Sequence, residues 1–344
     1  MQSSTQIIVR GIGAVSPAGW SVGALRDALQ KNEPLPVKDL PRPGWEKGFC
    51  VRGVPAPESR PAFLAHARLR RTSPIAQYAV GACVQALGDD AALVSAGQLR
   101  LGIVLSVMSG CVNYSRRFYD ETLRDPATAS PLVFPETVFN SPASHIAALL
   151  GATSINYTLV GDPGTYLQGL ALAADWLVQD RVDACLVVGA EELDWLTAGA
   201  LRLFQRSVVM SEGAGALYLA RERSGAVNVV LETVTDAHLF LAKQDRFCAA
   251  ARMRAELPAG DAKEVLCDGR QNILRLDAAE KRAWRGWPGS EISPKTILGE
   301  GLMAAAAWQC VAAVDALSGK NFSAANVSVA GTNQQAIGAR FVKD

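Results

Sequence analysis

Two kinds of hydrophobic run alternate along the chain. Short runs rich in β-branched residues, at 7–9, 101–107, 155–160 and 184–188, end in glycine or polar residues and read as strands. Longer Ala- and Leu-rich stretches follow them and are apolar on nearly every face, most clearly 165–178, which reads as a helix buried on all sides. Strands alternating with apolar helices predict a layered α/β fold whose sheets are covered on both faces. Residues 31–60 are rich in Pro and Lys, lack clean periodicity and predict a surface loop.

Helix boundaries are marked by capping chemistry. Ser21 is an expected N-cap for a short helix to Leu29, and Ser73 for a helix to Leu87 with Pro74 at its first position. The cluster Arg68 to Arg71 precedes that helix and reads either as a solvated helix start or as a contact for an acidic partner. The stretch 153–192 gives the chain its organisation: a strand, a sharp turn at Gly161, a buried helix and a second strand. At the turn Asp162 offers a capping carboxylate and Pro163 occupies the expected first helical position. Many enzymes mount a nucleophile at such a turn, because a helix N-terminus lowers a thiol's pKa. This turn reads Asp-Pro-Gly-Thr and offers no thiol.

Composition narrows the function. The 344 residues carry 34 Lys and Arg against 33 Asp and Glu, a formal net charge of +1. Such a balance gives no footprint for nucleic acid or a membrane surface. The seven cysteines show no CxxC pairing and lie in apolar surroundings, which favours reduced thiols over disulfides or zinc. No apolar run is long enough to span a bilayer, and MQSSTQIIVRG has no signal-peptide core. A soluble cytoplasmic protein without metal or cofactor is expected. Only His66, His145 and His238 are available for imidazole chemistry, and His145 reads as a packed or capping residue. The opening Gly11-Ile12-Gly13-Ala14-Val15-Ser16-Pro17 has a dinucleotide fingerprint as its rival reading, with Ser16 where the third glycine belongs.

Several segments together resemble the β-ketoacyl synthases, the condensing enzymes of the thiolase fold. Residues 9–19 are similar to the family's V-x-G-x-G-x-V-S-P-x-G. Asn156, Thr158, Asp183, Gly189, Ala190 and Glu191 match N-x-T-V-S-T-A-C-A-S-G and A-D-x-x-L-A-G-G-A-E without a gap. Residues 207–221 match F-V-x-G-E-G-A-G-x-L-x-L-E, although the loop normally before it is mostly deleted at Phe204-Gln205-Arg206. The resemblance implies a thiolase-like fold of two pseudo-symmetric α/β halves in an αβαβα arrangement. Residues 1–223 would form the first half and 224–344 the second. Residues 292–317 and 327–331 would repeat the turn, helix and strand that follow Gly161.

In the same register the catalytic groups are missing. The family's Cys falls on Pro163, its first His on Asp268 within Asp268-Gly269-Arg270-Gln271-Asn272, and its second His on Glu300. Lys295 is retained, and could pair with Glu300 or Asp268 or stand solvated. The C-terminal G-F-G-G-T-N appears as Ser328-Val329-Ala330-Gly331-Thr332-Asn333, so the gating Phe becomes Val329. Proline lacks both a nucleophile and the backbone N–H that serves the family as an oxyanion donor. Condensation at this site is therefore not expected. The resemblance implies a chain-length-factor-like subunit that completes a dimer with an active ketosynthase, or with itself, and meets acyl carrier protein through that complex. Type II polyketide, fatty-acid-like or aryl-polyene pathways are the expected setting. Met108, Cys111, Phe134, Val138, Phe139 and Val329 are the candidate acyl-pocket and interface residues. The alternatives are an acyltransferase or thioesterase using Cys111 or Cys267, and a stand-alone acyl or carrier-protein binding module.

Overall fold

A computed structural model describes residues 6–222, 229–242, 245–319, 321–331 and 334–343. In the first part of the chain, strand β1 (Ile8–Val15) leads to α1 (Val22–Lys31), β2 (Lys38–Leu40), β3 (Phe49–Arg52) and α2 (Pro74–Leu87). Next come α3 (Ala91–Ser95), β4 (Leu101–Val107), α4 (Val112–Arg124), α5 (Ser141–Leu150) and β5 (Asn156–Val160). Then follow α6 (Thr165–Val178), β6 (Ala184–Glu191), α7 (Trp195–Phe204), β7 (Met210–Ser211) and β8 (Gly213–Ala220). Beyond these lie β9 (Val229–Val234), β10 (His238–Leu239), α8 (Arg246–Ala255), β11 (Glu264–Cys267) and α9 (Leu274–Ala283). The chain closes with β12 (Ser290–Ile292), α10 (Pro294–Leu298), α11 (Met303–Ser318), β13 (Ala324–Ala330) and β14 (Gln335–Lys343).

The strands fall into two sets with one topology. The first runs β5-β4-β6-β8-β1 and the second β12-β11-β13-β14-β9, each placing its third, second, fourth, fifth and first strand in that order. In each set the fifth strand is antiparallel to its neighbours while the second, third and fourth are parallel. The sets meet where β1 pairs β9 through Ile8 with Val230 and Val9 with Val229. The expected boundary between residues 223 and 224 lies outside the described residues.

Helices α6 and α11 fill the layer between the sets, α2 and α5 cover the outside of the first, and α8 and α9 cover the second. This is the five-layer thiolase-like arrangement. Thirteen of the sixteen residues of α11 are buried, so it has no solvent face and its alanines let both sheets approach. Glycines on the strands complete the fit: a Cβ at Gly189 would lie 2.4 Å from Met303 O, and one at Gly215 2.7 Å from Ala307 Cβ. Trp308 holds the helix in register, its indole N–H donating to Val15 O and Ala214 O at 3.1 and 3.0 Å.

Three local expectations need correction, and one rival reading falls away. Helix α6 is not buried on all sides, because Gln168, Ala171, Asp175 and Val178 form an exposed stripe along it. Residues 31–60 are not all loop, because β2 and β3 join β7 in a separate three-stranded sheet. Those strands are two to four residues long, too short to show a period in the sequence. Ser73 does not cap α2 with its hydroxyl; it donates instead to Glu192, whose Oε2 accepts the Ile75 N–H at 3.0 Å. The glycines of the opening motif form no phosphate loop. Gly11 and Gly13 lie inside β1, where a Cβ would sit 1.9 Å from Ala86 O and Ala82 O of α2.

Among the described residues no helix is long and apolar enough to cross a membrane. Trp308→Ala is expected to destabilise the protein by about 3–5 kcal/mol, since it empties a fully buried site and orphans two carbonyls. Urea unfolding of the variant against wild type measures this.

Candidate functional site

The turn after β5 is built around the Asp162 carboxylate. Its Oδ1 accepts the Gly164 N–H at 3.0 Å and Gln335 Nε2 at 2.5 Å. Its Oδ2 accepts the N–H groups of Gln334 and Gln335 at 3.3 and 3.2 Å. Burial pushes the Asp162 acid upward and these four donors pull it back. The carboxylate thus ties the first half to the start of β14. Pro163 is buried beside it, but α6 begins only at Thr165, two residues later than the sequence predicts. Gly164 is needed because a Cβ there would lie 2.7 Å from Gln335 Cγ.

The other two candidate positions are equally occupied. Glu300 Oε2 accepts Lys295 Nζ at 2.9 Å and Gln271 Nε2 at 2.6 Å, and Oε1 accepts the Leu302 N–H at 2.8 Å. Lys295 and Glu300 side chains are 3% and 1% exposed, so the lysine is a buried partner and not a solvated one. Leu302 has φ +50°, a left-handed conformation rare for leucine, at the entry to α11. Asp268 binds Arg270 Nε at 2.6 Å and the Arg270 N–H at 3.0 Å. Arg270 continues to Glu291 and Ser293 at 2.6 and 3.2 Å. The two carboxylates therefore serve separate clusters.

The sequence reading missed four groups here. Glu280 is buried on α9 and accepts Gly269 N–H at 3.1 Å and Ser328 Oγ at 2.5 Å. Asp277, one helical turn before it, accepts the N–H groups of Gln271 and Ile273 at 3.0 and 3.1 Å. Two acids three residues apart on one helix, followed by Trp284 on the same face, were the available signal. Arg246 donates to Ala330 O at 2.8 Å, and its charge acts on Glu280, Glu300, Asp277 and Asp162. Glu191, matched in the sequence but given no role there, is discussed below.

The match to a family model decides the family. Residues 5–224 match the N-terminal domain of β-ketoacyl synthases. The chain belongs to the β-ketoacyl synthase family. The ishigamide ketosynthase/chain length factor superposes with a TM-score of 0.81 at 18% identity, covering 98% of this chain and 99% of that one. AntDE:AntF, a type II polyketide synthase acyl-carrier protein in complex with its ketosynthase bound to the hexaketide, gives 0.79 at 16% identity with 99% of each chain covered. A β-ketoacyl synthase from Burkholderia phymatum gives 0.78 at 16% identity, covering 99% of this chain and 100% of that one. These likenesses establish the fold. No curated protein matches the chain.

The β-ketoacyl synthase resemblance also named a pocket and interface group, and the structure gathers most of it. Met108 and Ser109 donate their N–H groups to Glu191 at 2.5 and 3.1 Å, and Met108 packs between the central core and the core of the small sheet. Cys111 is buried with Sγ 3.7 Å from Val138 O. Gly110, at φ +62°, leaves room for the Phe139 ring, which a Cβ would meet at 2.4 Å. Phe134 lies 5.4 Å from Phe118, and Phe134, Val138 and Phe139 are all exposed. Val329 stands apart from them, fully buried within β13. Thr332 and Asn333 lie outside the described residues. His145 is buried with its Nε2 2.9 Å from Glu136 Oε2, and Ser141 Oγ donates to the same carboxylate. It packs as expected and caps nothing.

Neither candidate thiol is primed. Burial raises both Cys111 and Cys267, and neighbouring carboxylates add to the effect: Glu192, Glu136 and Glu191 for the first and Asp268 for the second.

Lys295→Met is expected to cost about 3–5 kcal/mol, because it strands a buried Glu300 charge. Lys295→Met combined with Glu300→Leu should recover only part of that loss in the same denaturation assay, because Gln271 and the Leu302 N–H then lack their acceptor. A second expectation concerns pH. Burial raises Glu191 to about 8 and Glu280 to about 7, from an unfolded value of 4.5. The native state then holds more protons than the unfolded one above that value, so stability should fall as pH rises from about 4.5 to 8. Unfolding midpoints across that range check the sign, and Glu191→Gln should flatten the upper part.

Proposed function

We propose that this chain is a non-condensing, chain-length-factor-like subunit that pairs with an active β-ketoacyl synthase and shapes its acyl tunnel. The observation that carries the proposal is the state of the three catalytic positions. Pro163 supplies neither a nucleophile nor an N–H, and Glu300 and Asp268 are committed to Lys295 and Arg270. Loss of one oxyanion donor alone costs roughly 3–4 kcal/mol of transition-state stabilisation. Buried carboxylates in place of imidazoles would also oppose a developing enolate.

The surface supports pairing. β5 is the edge of the first set, and Tyr157 and Val160 on it are exposed, as are Leu132, Phe134, Val138 and Phe139. Helix α4, which packs its Phe118 on Phe134, has no fully buried residue. So much apolar surface beside an unpaired strand edge suits a subunit interface. The ishigamide ketosynthase/chain length factor and the AntDE:AntF complex supply the precedent for a ketosynthase partner and a carrier protein. On this reading residues 1–223 and 224–344 act as one tightly packed unit in the cytoplasm, without a cofactor. A self-paired homodimer is the simpler alternative. An acyltransferase or thioesterase is disfavoured by the two raised thiols.

The purified chain is expected to release no carbon dioxide from malonyl-carrier protein above a protein-free control. Release without a partner would overturn the proposal. Co-expressed with its ketosynthase, the chain should co-purify as a complex. Phe139→Ala, and to a smaller extent Phe134→Ala and Met108→Ala, should shift that complex toward longer products. An unchanged length distribution in all three intact complexes would reduce the chain to a scaffold.

A further inference from the structure

On the outer face of the second half, a cavity of about 190 Å³ opens beside β11, α9 and β12. Its floor is Glu280, which is 4% exposed. Both donors to this carboxyl, Gly269 N–H and Ser328 Oγ, go to Oε1. Oε2 faces the cavity and has no partner among the described residues. A proton on Glu280 would therefore sit on Oε2 and point at whatever enters.

The remaining lining sets the charge of that guest. Asp268 and Glu291 are both paired to Arg270, which leaves this trio with one formal negative charge. Lys281 and Arg285 stand exposed at the rim and form no ion pair among the described residues. Trp284 and Trp287 form the apolar wall, edge to face at 5.3 Å. Their N–H groups are already committed to Ser328 Oγ and Ser290 O, each at 3.1 Å. The cavity thus offers a buried acid with one unpartnered oxygen, two exposed cations that outnumber the single negative charge of the Asp268–Arg270–Glu291 trio, and indole rings.

We propose that this cavity binds a small carboxylate anion, which accepts a hydrogen bond from Glu280 Oε2 and pairs with Lys281 and Arg285. The cavity, about 190 Å³ and open to solvent on one side, admits an acetate- or propionate-sized guest. Burial, then the Asp268 charge, raises Glu280 to about 7, so the donor form is present below neutral pH and lost above it. The other charged groups facing Glu280 are Asp268 and Arg270 after β11, Lys281 and Arg285, Glu291 on β12, Lys295 on α10 and Arg246 on α8. The site does not depend on the subunit pairing proposed above.

Calorimetric titration of the full chain with sodium acetate at about pH 6 and about pH 8 tests the proposal. Binding should be about ten-fold tighter at the lower pH, the change in the protonated fraction of an acid titrating near 7. Glu280→Gln keeps a donor, so it should bind acetate and lose the pH dependence. The exposed double change Lys281→Ala with Arg285→Ala should weaken binding several-fold at both pH values. Failure of the folded wild type to bind acetate would overturn the proposal, as would tighter binding at the higher pH. Preference for methylammonium would reverse the charge assignment, and equal response to chloride would mean an adventitious ion only; either also overturns it.

Discussion

A carboxylate removed from water must find donors, a cation or a proton, and that demand organises this protein beyond its apolar core. The end of β6 shows it most densely. Glu191 holds the loop at Met108 and Ser109, while Glu192 accepts the Ile75 N–H of α2 and the Asn113 N–H of α4. Two residues on, Asp194 caps α7 through the Leu196 N–H and binds Arg116 of α4. Glu212 then joins Leu193 to Val54 after β3. Four acids thus fasten three helices and two loops to one strand end. The helix α4 and the 108–111 loop, which border the exposed aromatic surface, owe their placement to these bonds more than to buried side chains.

The same demand explains the three positions that the resemblance aligns with the family's catalytic groups. A reactive centre keeps groups whose bonding capacity is unspent until substrate arrives. Here Asp162, Glu300 and Asp268 have each been supplied with partners from within the chain. Asp162 takes four donors, three of them from Gln334 and Gln335. A centre satisfied in this way gains definition and loses the capacity to stabilise a new charge.

The sequence made the layered fold and the turn after β5 legible, because both rest on local signals. Runs of β-branched residues, the Ala-rich α11 and the Gly-Asp-Pro-Gly turn can each be read in isolation. The donors that satisfy the acids could not be read, since they arrive from far away. Gln335 is 173 residues from Asp162 and Ser73 is 119 from Glu192. Lys295 was within reach, five residues from Glu300, but only burial chooses between a buried pair and a solvated lysine. The small sheet escaped notice because β2, β3 and β7 are too short to set a period, and β7 comes from a distant part of the chain.

On the proposed reading, these dependencies constrain what a catalytic residue placed at these positions would meet. Reinstating a thiol at residue 163 would place it beside Asp162, a neighbour whose charge opposes a thiolate. Replacing Glu300 by His would remove the acceptor of Lys295, Gln271 and the Leu302 N–H, and leave a lysine buried without its partner. Replacing Asp268 would leave Arg270 with Glu291 and Ser293 only. Each reversal is thus opposed by contacts built around the present residue, and the catalytic groups act as a unit rather than additively. On the proposed reading, replacing Glu300 or Asp268 costs folding energy before any transition state is there to benefit.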